Sequence, residues 1–188
     1  MKRDTSYLRL FLFSIFFFFS TSIFSIPIDW VGGEMFFEND WNRAANWFPP
    51  RVPTAADDVT IPFTPNAPTL DIDVTGGNAI ASLTIEDGAT LTTGNFSLEV
   101  LGDVILGTTF VVTLDASGQT TASVDISGNV SGTGVFTAAA GTVTIGGNVT
   151  VGTFTASSGS TTVTGNLTSA TFNANGGSIT FDGGGTST

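Results

Sequence analysis

The sequence predicts an all-β chain, a solenoid of short strands with about 18 residues to the turn and a Trp/Pro-rich cap at its N-terminal end. Three observations predict it. A phrase recurs with little change: "GNVSGTGVFTAAAGTVTI" at 128–145, "GNVTVGTFTASSGSTTV" at 147–163 and "GNLTSATFNANGGSITF" at 165–181. Upstream, apolar residues alternate with Thr, Ser or Glu over short runs separated by Gly, Asn and Asp, the two-residue period of strands. All three tryptophans and five of the seven prolines cluster between residues 26 and 63.

Residues 1–25 read as a secretory signal peptide. Lys2, Arg3 and Arg9 give a basic start, Leu10–Phe19 is apolar except for Ser14, and small residues follow at Ser20, Ser22 and Ser25. Cleavage after Ser22 or Ser25 fits a small-x-small rule. The apolar run is shorter than the ~20 residues of a comfortable membrane span. The mature chain is therefore expected to be secreted or on the cell surface and not to span a membrane.

Residues 26–78 form the cap and the first strands. Pro49, Pro50 and Pro53 forbid a helix through "DWNRAANWFPPRVPTAADDVTIP" (40–62), and "DVTIP" reads as the first strand. "TLDIDV" follows, with Leu70, Ile72 and Val74 on one face. Residues 79–188 are the repeats. Leu83 and Ile85, then Ala89 and Leu91, then Phe96, Leu98 and Val100 mark three strands.

In the later copies the ladder positions are 18 apart: Phe136, Phe154 and Phe172; Ala138, Ala156 and Ala174; Ile145, Val163 and Phe181. Such units bury nothing alone and form a core only by stacking on their neighbours. Outward rows follow, Thr144–Thr162–Thr180 and Thr142–Ser160–Ser178. The Gly-Asn pairs at 128, 147 and 165 are expected at corners, where both residues tolerate a left-handed backbone. The first interval is 19, so an inserted residue is expected before Phe136, and an extra loop between Gly102 and Gly128. The next corner would fall at Gly183 and the next Phe beyond Thr188, so the chain is expected to stop inside a turn, leaving a bare edge open to self-association.

Composition excludes several functions. Lys+Arg number 5 against 16 Asp+Glu, and no cation follows Arg51, so nucleic acid is a poor partner. With no Cys and no His, thiol chemistry, Cys-type zinc sites and the commonest general base are absent. Tyr7, the one tyrosine, lies in the signal segment. An enzyme would need paired carboxylates, yet from residue 128 onward only Asp182 is acidic. No catalytic residue and no cofactor are expected.

The head "DWNRAANWFPPRVPTAADDVTIP" followed by "SLTIEDGATLTTGNFSLEVLGDVIL" resembles the opening of large exported bacterial β-helix proteins. The later turns resemble repeats of autotransporter passengers, filamentous haemagglutinin-like adhesins and type IX-secreted surface proteins. The resemblance implies a right-handed parallel β-helix, surface exposure and a structural or adhesive role, with a host or neighbouring cell surface or a polysaccharide as partner. The alternative is a carbohydrate-binding or carbohydrate-cleaving β-helix module of the pectinase type.

Asp57 and Asp58 are the candidate calcium ligands, against the reading of a turn that starts a strand. Asp71 and Asp73 read as a solvated face. Trp30, Trp41 and Trp47 read as an apolar plug for the solenoid end or, alternatively, as an aromatic platform for sugar. Asn95, Asn129, Asn148 and Asn166 lie in N-x-[ST] sequons that the repeated corner itself generates.

Overall fold

The computed structural model describes residues 25–107, 113–115, 122–138 and 141–183. Residues 1–24 of the expected signal peptide (1–25), part of the extra loop expected between Gly102 and Gly128, and the end of the chain after Gly183 lie outside them. The described chain is all-β, with multi-strand parallel sheets. Its only helical pieces are two three-residue 3-10 turns, Ala44–Asn46 and Gly76–Asn78.

Fifteen of the sixteen strands among the described residues fall into three columns. Column A contains β1 (Ile26–Trp30), β3 (Asp57–Ile61), β4 (Ser82–Ile85), β7 (Val104–Leu106) and β10 (Val130–Gly132). It continues into the first halves of β13 (Val149–Thr155) and β15 (Leu167–Asn173). Column B contains β5 (Thr90–Thr92), β8 (Thr113–Asp115) and β11 (Val135–Thr137), then the second halves of β13 and β15. Column C contains β6 (Leu98–Val100), β9 (Ser123–Ile126), β12 (Thr142–Ile145), β14 (Ser160–Val163) and β16 (Ser178–Phe181). From β4 onward the chain visits A, B and C in that order and begins again. All these neighbours pair in parallel, and the long β13 and β15 join columns A and B into one sheet.

Register explains why the phrase repeats. Phe136 pairs with Phe154 and Phe154 with Phe172, while Val143–Thr161–Ile179 and Ile145–Val163–Phe181 are paired in column C. The outward rows Thr144–Thr162–Thr180 and Thr142–Ser160–Ser178 are in register too. One apolar core runs from Ile28 to Leu167. The inserted residue has a definite place. Val130 pairs with Val149, but Val135 already pairs with Thr153, so the extra residue lies in the A-to-B corner around Gly132–Gly134.

Four expectations need correction. "DVTIP" is β3, not the first strand: β1 precedes it and pairs with it in parallel, and β2 (Trp47–Phe48) pairs antiparallel with β1. "TLDIDV" forms no named strand and makes only isolated bridges, Thr69 to Asp40 and Thr92, and Val74 to Leu98. Its carboxylates explain this. Asp71 Oδ1 accepts the Asn42 N–H at 2.8 Å and Asp73 Oδ1 accepts the Ser97 N–H at 2.9 Å, so side chains take donors a ladder would otherwise use. Asp73 is exposed and Asp71 partly so, as on a solvated face, and each also bonds to a neighbouring segment.

The third correction concerns the Gly-Asn corners. None of these residues has a left-handed backbone. Glycine is required by close approach instead. A Cβ on Gly128, Gly147 or Gly165 would lie 2.6 Å from the carbonyl oxygen of Gly102, Gly128 or Gly147 respectively. The fourth is the last turn. Ala174 is exposed, and Phe172 and Phe181 keep 39% and 42% of their surface in water; among the described residues β15 and β16 each have a strand on one side only.

Candidate functional site

The cap holds the densest cluster of one-off side chains. Trp30, Trp41 and Trp47 are buried and meet edge to face, with ring centroids 4.9 Å apart for Trp30–Trp47 and 4.6 Å for Trp41–Trp47. Two of the buried indole donors bond to backbone: Trp30 Nε1–H donates to Asn66 O at 2.7 Å and Trp47 Nε1–H to Trp41 O at 2.8 Å. A sugar platform needs an open ring face. These rings have none, so the cluster is the end of the apolar core and the sugar-platform alternative has no surface to stand on.

Asn46 completes the cap and was not among the expected residues. It is fully buried; its amide donates to Phe37 O at 2.7 Å and Asp40 O at 2.9 Å, and its Oδ1 accepts the Glu34 N–H at 2.7 Å. One side chain thus satisfies three backbone groups of the 34–40 loop.

Asp57 is buried beside Arg51. Both guanidinium nitrogens reach its carboxylate, Nη1 to Oδ2 and Nη2 to Oδ1, the latter at 2.6 Å. The Thr54 N–H and hydroxyl add bonds to Oδ2 at 2.7 and 2.9 Å. Burial opposes the charged form of Asp57, but the Arg51 and Thr54 bonds outweigh it and hold the carboxyl below its ordinary range. The Asp57 hydrogen bond holds the Arg51 guanidinium above its own. Asp58 accepts from the Ser25 hydroxyl and, at 2.6 Å, from the Ser82 hydroxyl. The two candidate calcium ligands thus face different partners, and a cation at Asp57 would have to displace Arg51. No cluster of three His, Cys, Asp or Glu suited to a metal occurs among the described residues.

A polar ladder runs along the corner before column A. Asp103 Oδ1 accepts the Asn129 N–H at 2.7 Å, Asn129 Oδ1 the Asn148 N–H at 2.9 Å, and Asn148 Oδ1 the Asn166 N–H at 2.8 Å. Three of the four sequon asparagines are therefore rungs of one ladder. Asp103 heads it, and Gly102-Asp103 is an earlier copy of Gly-Asn that the sequence pattern hid. An open pocket of about 350 Å³ lies between β4 and β7, with Glu86 and Asp87 on its wall. No helix among the described residues is long and apolar enough to cross a membrane.

The cap and the turns up to β11 form the part of the chain that a family model recognises. The chain belongs to the family described as a domain of unknown function, DUF8693, which matches residues 30–139. No curated protein and no solved structure matches the chain. The DUF8693 match starts at Trp30, covers the Trp cluster, the Arg51–Asp57 pair and Asp103, and ends before the regular turns at 142–181.

Proposed function

We propose that this DUF8693 protein is an exported, cell-surface right-handed parallel β-helix with a structural or adhesive role and no catalysis. One observation carries the reading: three columns of parallel strands are visited in a fixed order over one continuous core. A right-handed hand follows the general rule for parallel crossovers. Side chains selected for stacking leave little for chemistry. Asp57, Asp71, Asp73 and Asp103 each accept hydrogen bonds from their own chain. That arrangement favours the non-catalytic role over a carboxylate-based, pectinase-type enzyme. The resemblance to autotransporter-passenger and haemagglutinin-like repeats supports the same role, with a cell surface or polysaccharide as partner.

The experiment is fractionation of the producing cell, followed by mass spectrometry and a binding assay on whole cells and polysaccharides. A mature N-terminus between Ser22 and Ile28, outside the cytoplasm, and retention on one of those surfaces are expected. A soluble cytoplasmic pool with Met1 intact overturns the surface role. Turnover of an oligosaccharide overturns the non-catalytic one.

A further inference from the structure

We propose that the tip of the 34–38 loop, Met35 and Phe36, is a docking site for an arginine-bearing apolar face of another protein. The site lies in the cap and stands whether or not the chain is adhesive. Phe36 has φ 71° and is the one non-glycine among the described residues with a left-handed backbone. The Phe37 N–H donates to Glu34 O at 3.2 Å, which places Phe36 third in a four-residue turn. A positive φ at that position calls for Gly or Asn. A bulky aromatic there is strained, because its Cβ crowds the following carbonyl. It buries little in return: Phe36 is 82% exposed and Met35 71%. Neither the turn nor the core requires a phenylalanine here. Strain of this kind persists only where the surroundings impose it, and it gathers at binding sites. The surroundings do impose it. Both ends of the turn are bound to the buried Asn46, whose Oδ1 accepts the Glu34 N–H and whose amide donates to Phe37 O. The tip is therefore held outward, and a partner has no loop to order on binding.

The partner's chemistry is read from the next residue. Phe37 already carries a cation: the Arg43 guanidinium carbon lies 4.3 Å from its ring centroid, and Arg43 Nε lies 3.6 Å from Asp40 Oδ2. A ring beside a carboxylate thus takes a guanidinium within this cap. Phe36 has the same two ingredients, its own ring and the carboxylates of Glu34 and Glu38 two residues to either side. Neither carboxylate forms an ion pair among the described residues. A second copy of the chain has no cation to offer. After residue 25 the cations are Arg43 and Arg51, and both are paired. Anionic lipid is repelled by the same carboxylates. An arginine on a different protein fits the site, its plane against the Phe36 ring and its fork toward a carboxylate. Apolar neighbours of that arginine would cover Met35, whose flexible thioether adapts to their shape.

The test uses the full exported chain, purified, so its outcome is independent of any cell-surface binding. The probe is a fluorescent synthetic peptide helix whose leucine face is bordered by arginines. Saturable binding by fluorescence anisotropy is expected, weaker with lysine in place of arginine and absent with glutamate. Phe36→Gly suits the backbone of the turn, so it should keep the urea midpoint at or above that of the wild type. The same variant should weaken peptide binding by about tenfold or more. Glu34→Gln with Glu38→Gln should weaken it more than Glu86→Gln with Asp182→Asn, which remove the same charge outside the cap. No binding by the wild type, or full-strength binding by Phe36→Gly, overturns the proposal. So does a lower urea midpoint for Phe36→Gly, which would make the ring part of what holds the turn. Equal losses from the two charge pairs would reduce the contact to the net charge of −11 and overturn it too. Self-association of the chain, or adsorption to phosphatidylcholine vesicles, that Phe36→Gly abolishes would give the tip a different occupant and overturn it as well.

Discussion

Residues 26–61 and residues 142–181 contribute strands to the same parallel column, yet they are held by different kinds of contact. In the first segment the contacts are single: three tryptophans edge to face, one buried asparagine holding a loop, one buried ion pair. In the second they are copies: Phe on Phe, Val or Ile on a β-branched neighbour, Asn on Asn. Each single contact must be right in itself. Each copied contact need only match the turn before it. The family match follows this division, covering the cap and ending at residue 139.

The largest expected effect tests whether stacking carries the copied region. Phe154 is buried between two rings, so Phe154→Ala should cost about 3–5 kcal/mol. Phe172 has one ring partner of the ladder behind it and 39% exposure, so Phe172→Ala should cost about 1–2 kcal/mol. Urea unfolding of the mature chain reads both. Equal costs would mean that Phe172 is as covered in solution as Phe154.

The next effect tests the corner. Gly147→Ala places a methyl 2.6 Å from the Gly128 carbonyl oxygen and from Asn129 Oδ1. The neighbour is backbone and cannot swing aside, so a cost of about 2–3 kcal/mol is expected. If the cost is only a few tenths, the turns are spaced more loosely than the corner implies, and the Asn ladder does not fix their separation.

How much of this was legible divides along the same line. The Phe, Ala and Val/Ile ladders were readable because equal spacing in sequence becomes contact in space when strands stack in register. Asp103 was not, because it is Asp where later turns have Asn; only the shared acceptor oxygen reveals the equivalence. Asn46 and Asp71 were not, because a side chain bonded to backbone from another segment leaves no period. "TLDIDV" was misread for that reason: alternation is necessary for a strand, but Asp71 and Asp73 spend their oxygens on neighbouring turns. The buried role of Asp57 was hidden by its charge, since an Asp-Asp pair opening a strand more often faces water. Arg51, the last cation in the sequence, was the available clue.

The Arg51–Asp57 pair gives a pH prediction for the cap. Asp57 is held below its ordinary carboxyl range in the folded chain. Its contribution is therefore fully present above the unfolded value, about 4, and is lost as pH falls through the lower folded value. Arg51→Leu leaves the buried carboxylate without its cation. Removing one partner of a fully buried pair costs about 3–5 kcal/mol, and about a third of the Arg51 side chain is in water, so about 2–3 kcal/mol is expected at neutral pH. The gap between wild type and Arg51→Leu should narrow as the buffer is taken from about pH 6 to below the folded value, because the protonated Asp57 no longer needs the cation. A gap that stays constant or widens would assign the cost to lost packing of the Arg51 stem rather than to charge.

The smallest expected effect lies on the outward rows, where repetition is as regular as inside but should contribute little to stability. Thr162 pairs with Thr144 and Thr180, points away from the core and is half-buried by its row neighbours alone. Thr162→Ala removes a β-branched residue from a strand, which lowers strand preference slightly, and leaves no cavity in the core. A cost under about 0.5 kcal/mol is expected, as for surface changes away from caps, ion pairs and buried hydrogen bonds. The comparison with Phe154→Ala is then internal to one turn: the inner ladder carries the stability and the outer row does not. A Thr162→Ala cost above about 1 kcal/mol would exceed what an exposed strand position contributes. It would show that the hydroxyl rows bind the turns together, and that the copied region is held from both sides of its strands.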